Sequence, residues 1–180
     1  MKVRVLSIGQ VDPECLSFIE NGLRETIPEV EVESVDRVMP VPQETYNPSR
    51  RQYHSTQILT KMKGFVDIGE NEHVLGVTEV DLYAPWLNFV FGEAQPAGRV
   101  AIISLFRLRP EFYGEKPNSH LFHERALKEA VHELGHTFGL GHCENTFCVM
   151  FFSNSIVDTD RKMARFCDDC HVLVHRVLEK

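Results

Sequence analysis

Residues 132 to 143 read His-Glu-Leu-Gly-His-Thr-Phe-Gly-Leu-Gly-His-Cys, which crowds three imidazoles, a carboxylate and a thiol into one short segment. His132 and His136 are four residues apart. On a helix their directions differ by only ~40°, so both rings can reach one ion. Gly139 lets the chain turn sharply at the helix end, and His142 can then fold back as a third ligand. Three neutral imidazoles leave the fourth tetrahedral position of a zinc ion open to water, the arrangement of a catalytic site. Glu133, beside His132, can point at that water. Zinc lowers the pKa of bound water to ~7, and a carboxylate within hydrogen-bond reach can take its proton. The same ion would polarise a peptide carbonyl. The plain alternative is a solvated helix face that happens to carry histidines, and His142 argues against it.

Four of the five cysteines fall in the last 38 residues, as Cys143, Cys148, Cys167 and Cys170. C-x4-C and C-x2-C form two short chelating loops that can deliver four thiolates to one tetrahedral zinc, a closed and therefore structural site. Two ligand sets imply two zinc ions per chain. Cys167-Asp-Asp-Cys-His171 also fits the C-x-x-C-H pattern of haem attachment, but that reading leaves Cys143 and Cys148 without a use. A thioredoxin-like role lacks a preceding strand. Cys15 stands alone. The pairs His120/His123 and His171/His175 read as solvated faces. Glu129 points close to the His136 direction and could support a ligand imidazole, but it reads rather as a surface residue, and Glu79 and Asp81 have no assignable role.

The whole pattern, H-E-x-x-H-x-x-G-x-x-H with Met150 eight residues on, resembles the metzincin clan of metallopeptidases. Cys143, Cys148-Val-Met150 and Cys167-Asp-Asp-Cys170 narrow the resemblance to the archaemetzincin family. It implies a metzincin-like zincin fold. His132, His136 and His142 would hold the catalytic zinc, Glu133 would be the general base, and the four cysteines would hold a structural zinc. Met150 would be the methionine of the Met-turn beneath the metal. The implied activity is peptide-bond hydrolysis by a zinc-bound water that Glu133 activates, on a peptide or protein substrate. Some metzincins carry a tyrosine two residues after that methionine; here the position is Phe152, which has no proton to offer. The alternative from another class is a non-catalytic zinc-binding interaction module with a blocked or unused cleft.

These residues need a frame. Val3–Ile8 alternates as a strand, and Pro13–Ile27 carries apolar residues three and four apart, a helix with proline in its first turn. Strands follow at Val30–Val38, Val74–Tyr83, Leu87–Phe91 and Arg99–Phe106, the last two as a hairpin. Met39–Pro48 reads as a loop and Ser49–Phe65 as a second helix. Asn118 or Ser119 caps a helix reaching about Phe138, with its core stripe on Leu127, Ala130, Val131 and Leu134 and the histidines on the other side. A final helix runs from near Val157 to the C-terminus. The sum is an α/β (α+β) fold: a mixed, mainly parallel twisted sheet with an antiparallel edge strand and packed helices. Residues 1–180 make one metallopeptidase domain, with a sheet-and-helix part over 1–142 and a small zinc-bearing part over 143–180. Leu87–Phe91 is the expected substrate-binding edge.

Composition bounds the rest. With 180 residues and 43% hydrophobic content, the chain can bury one sizeable core. A net charge of −7 gives no bulk attraction to nucleic acid or anionic membrane. The longest apolar run, Val100–Phe106, falls far short of the ~20 residues of a membrane span. The N-terminus lacks a signal-peptide pattern. The expectation is a monomer in the reducing cytoplasm, with no nucleic-acid or membrane partner.

Overall fold

The structure, a computed structural model, describes residues 1–96 and 98–178. Its centre is a five-stranded sheet of order β2-β1-β5-β8-β7, made of β1 (Lys2–Ile8), β2 (Glu31–Ser34), β5 (Glu72–Thr78), β7 (Gly92–Ala94) and β8 (Val100–Ser104). β1 pairs in parallel with β2 and β5, and β5 with β8. β7 closes the edge antiparallel to β8. Successive side chains of a strand leave on opposite faces. Val3, Val5, Leu75, Val77, Ala101 and Ile103 therefore enter one core, while Leu6, Ile8, Val74, Val100 and Ile102 enter another. Both faces must be covered. α1 (Pro13–Thr26) and α3 (Ser119–Thr137) cover the first, α2 (Ser55–Phe65) the second. Asp12 caps α1 by accepting from the Glu14 N–H, and Asn118 caps α3 by accepting from the Leu121 N–H. This is the mixed sheet with helices that the alternation predicts.

Several elements differ from expectation: the strand at Val30–Val38 shortens to β2, and the Met39–Pro48 loop carries a short strand at Tyr46–Asn47. The chain does not run straight from Val74 to Tyr83. After Thr78 it bends, held by Arg109 on Glu79 and by a two-pronged Arg107 contact on Asp81, both at 2.7–2.8 Å. Leu82–Tyr83 then forms β6 of a separate small sheet with β3 (Tyr46–Asn47) and β4 (Gln52–His54), so Ser49–Phe65 is not all helix. Leu87–Phe91 is no strand, and only Val90 bridges to Leu82. Its carbonyls are occupied elsewhere: the Arg50 guanidinium donates to those of Leu87 and Asn88. The sheet edge is β7, just beyond it. The final helix is two, α4 (Ile156–Arg161) and α5 (Asp168–Leu178). The break lies where Lys162 turns its side chain fully inward. No helix among the described residues is long and apolar enough to cross a membrane.

Candidate active site

α3 carries His132, Glu133 and His136 on a side that is covered, not solvated: His132 is 4% and Glu133 5% exposed. The Nδ1–H of His132 donates to the Val149 carbonyl at 2.7 Å, and that of His136 to the Leu140 carbonyl at 2.8 Å. A carbonyl only accepts, so both rings carry their proton on Nδ1 and aim a lone pair from Nε2. Those two Nε2 atoms stand 3.2 Å apart. Two facing lone pairs at that distance repel unless a cation lies between them. A tetrahedron with zinc–nitrogen bonds of ~2.05 Å has edges of ~3.3 Å. His142 completes the set, with one ring nitrogen within 4.8 Å of the other two. Gly139, at φ 91°, and the bond from the Leu140 N–H to the Gly135 carbonyl turn the chain back to bring it there. Burial lowers the pKa of all three imidazoles, which keeps them neutral and able to ligate. The donor set fits zinc.

The segment after the helix supports these rings from below. Met150 is fully buried under α3. A Cβ on Gly135 would fall 2.4 Å from its Sδ, so glycine at that point of the helix lets the methionine lie close. The Val149 carbonyl that holds His132 precedes it. The Phe152 ring packs 4.8 Å from the His142 ring.

Cys143, Cys148, Cys167 and Cys170 offer four sulfurs within 4.8 Å of one another. The Cys143 and Cys167 Sγ atoms are 3.8 Å apart. Four zinc–thiolate bonds of ~2.3 Å would set tetrahedral edges at ~3.8 Å. Burial pushes the Cys148 and Cys170 thiols up; for Cys167 burial is outweighed by the Cys170 N–H and the neighbouring thiols, and the net direction is down. This second donor set also fits zinc.

Beside the histidines lies a cleft of about 220 Å³, walled by Leu87–Gly92 on one side and Phe152–Asn154 on the other, with Glu129, His132 and Glu133 at its base. An open cleft at this place gives a blocked-cleft module no support. Burial, and after it the nearby Glu129, drives the Glu133 carboxyl well above the usual range. Glu129 is no surface residue. It is 3% exposed, and its Oε1 accepts from the Thr159 hydroxyl at 3.0 Å. Lys162 Nζ stands 2.9 Å from the same oxygen, a contact of opposite charges without hydrogen-bond alignment. The signals for Glu129 in the chain are its helical direction close to that of His136 and its place one turn before Glu133; Lys162 gives none. His123 also lies buried, stacked on Phe18.

The chain is similar to known proteins over nearly its whole length. The sequence profile of peptidase family M54 matches residues 17–176. An archaemetzincin of Methanocaldococcus jannaschii is 48% identical over 176 residues, covering 94% of this chain and 90% of that protein. The crystal structure of an archaemetzincin from Methanopyrus kandleri superposes with a TM-score of 0.87 at 39% identity, over 100% of this chain and 96% of that one. A zinc-dependent peptidase from Methanocorpusculum labreanum superposes at 0.86 with 32% identity, over 96% of this chain and 99% of that one.

Proposed function

Since the chain belongs to peptidase family M54, the archaemetzincins, and is a zinc metallopeptidase, we propose that His132, His136 and His142 hold the catalytic zinc, that Glu133 is its general base, and that Cys143, Cys148, Cys167 and Cys170 hold a second, structural zinc. The observation that carries this reading is the convergence of three imidazole nitrogens next to a buried carboxylate at the base of an open cleft. Zinc supplies Lewis acidity there, which polarises a carbonyl and makes water more acidic. The protein's own part is proton transfer and placement. Glu133 takes a proton from the attacking water and returns it to the leaving amine, a task its place beside the three imidazoles at the base of the cleft allows. Val149 and Leu140 fix the ring orientations through their carbonyls. An extended peptide can add to the free edge of β7 by main-chain pairing, which brings its backbone alongside Glu133.

Residues 1–180 act as one metallopeptidase domain, in which the part from Cys143 onward is held by its own zinc. Four thiolate ligands suit a reducing compartment, and the cytoplasm and a monomeric state remain part of this proposal. The substrate is a peptide or protein. Elemental analysis and cleavage of a denatured protein mixture test the reading together. Protein purified without added metal should hold two zinc ions per chain. Glu133→Ala should keep both and lose at least ~10²-fold in rate, as for a lost general base. Equal cleavage by wild type and variant, in preparations free of other proteases, would refute Glu133 as the base.

A further inference from the structure

We propose that Gly92, at the start of edge strand β7, is a positioning residue for Glu133: its missing side chain is the seat of the catalytic carboxylate. This rests on the role of Glu133 proposed above. A Cβ built on Gly92 would lie 2.6 Å from Glu133 Cγ, 2.7 Å from Oε1 and 2.8 Å from Cδ. The backbone of Gly92 has no positive φ, so the requirement is for space and not for conformation. No hydrogen bond or ion pair among the described residues holds the Glu133 carboxylate. Its Cγ, Cδ and Oε1 instead occupy the space that a side chain at position 92 would take.

The β7 main chain is fixed from both sides here. Gly92 is in register with Ile103 of β8, and the Ser104 N–H donates to the carbonyl of Phe91 at 2.7 Å. The next residue, Glu93, is tied to the start of α2: its carboxylate accepts from the Ser55 hydroxyl and, at 2.7 Å, from the Thr56 hydroxyl. A methyl group at position 92 therefore meets a clamped strand behind it and a carboxylate with no tether in front. The carboxylate yields. The fold tolerates the change because the clash falls on a side chain from its Cγ outward and on no backbone atom, so that a rotation about the Glu133 side-chain bonds relieves it while the general base leaves its station.

Gly92→Ala tests this, with metal content, the melting curve, a crystal structure and steady-state kinetics all measured. The variant keeps its zinc and melts close to wild type. Its crystal structure shows the Glu133 carboxylate turned away from β7. Its kcat falls about tenfold to a hundredfold, the scale on which a small misplacement of a catalytic group acts, while KM changes little. In a Glu133→Ala background the same substitution lowers the residual rate no further. An unmoved carboxylate in Gly92→Ala would overturn the proposal. So would a wild-type kcat, or a loss confined to KM, which would mean that the methyl merely obstructs substrate. If wild type itself shows no hydrolysis, the catalytic reading of Glu133 fails, and the crystal structure alone still decides whether Gly92 seats the carboxylate.

Discussion

At the scale of single residues, Glu129 and Lys162 show what surrounds α3 and what a sequence conceals. An ionised carboxylate at 3% exposure is costly unless a cation stands by it, and Lys162, fully buried, is that cation. Removing one member leaves the other charged and unpaired. Lys162→Met should therefore destabilise the protein by about 3–5 kcal/mol, read from denaturant unfolding of the zinc-loaded protein. Glu129→Met combined with Lys162→Met should recover most of that loss, because no charge is then stranded. Unchanged unfolding of Lys162→Met would mean that Glu129 is held by Thr159 alone. The pair was not legible in the chain: a glutamate one turn before Glu133 and a lysine 33 residues later share no local pattern. The histidines and cysteines were legible because chelation constrains spacing along a helix or a short loop. Gly92 lay outside any motif, since its reason is the volume of a side chain 41 positions away.

At the scale of elements, the active helix is fastened to the sheet at its C-terminal end by His73 of β5. The His73 ring contacts Thr137 Oγ1 at 2.8 Å, and that hydroxyl itself donates to the Leu134 carbonyl at 2.7 Å. Nδ1 of His73 is therefore the donor. The ring also meets Phe138 edge-on at 5.1 Å. Burial, with the nearby Arg99 and N-terminus, lowers its pKa to about 4. The folded state thus favours the neutral ring, while the unfolded chain titrates near ~6.5. This contribution to stability is complete above ~6.5 and is lost as pH falls through about 4; its size is on the order of 3 kcal/mol. His73→Leu should flatten the stability curve between pH 7 and pH 4 by that order when both proteins carry zinc, since the site histidines then cancel in the difference. Parallel curves would show that His73 is not held neutral. Element type followed the apolar period wherever a strand or helix buries a full face, as in β1, β8 and α3. It failed at Val74–Tyr83 and Leu87–Phe91, where long-range arginine contacts redirect the chain and no periodicity records them.

At the scale of the whole molecule, the two proposed metal sites share one short piece of chain. His142 and Cys143 are neighbours, and the Cys143 N–H donates to the Met150 carbonyl at 3.0 Å. Between Cys148 and Met150 lies Val149, whose carbonyl orients His132 and whose N–H donates to the Arg165 carbonyl. The cysteine zinc would therefore pin, through Cys143 and Cys148, both the third histidine and the support of the first. Its four ligands come from three places in the chain, the turn after α3, the segment before Met150 and the start of α5, which meet only in the folded state. Binding there is then coupled to folding of this region. Cys170→Ser touches neither His142 nor Val149 directly, so it probes the coupling alone. It should release the structural zinc and also weaken zinc at the histidines by ~10-fold or more, the usual cost of losing a ligand's support. Competition with a calibrated chelator reads both affinities. Wild-type affinity at the histidines in a Cys170→Ser protein that has lost its other zinc would mean that α3 and the Val149 carbonyl hold the catalytic site without the second ion, and the coupling would be absent.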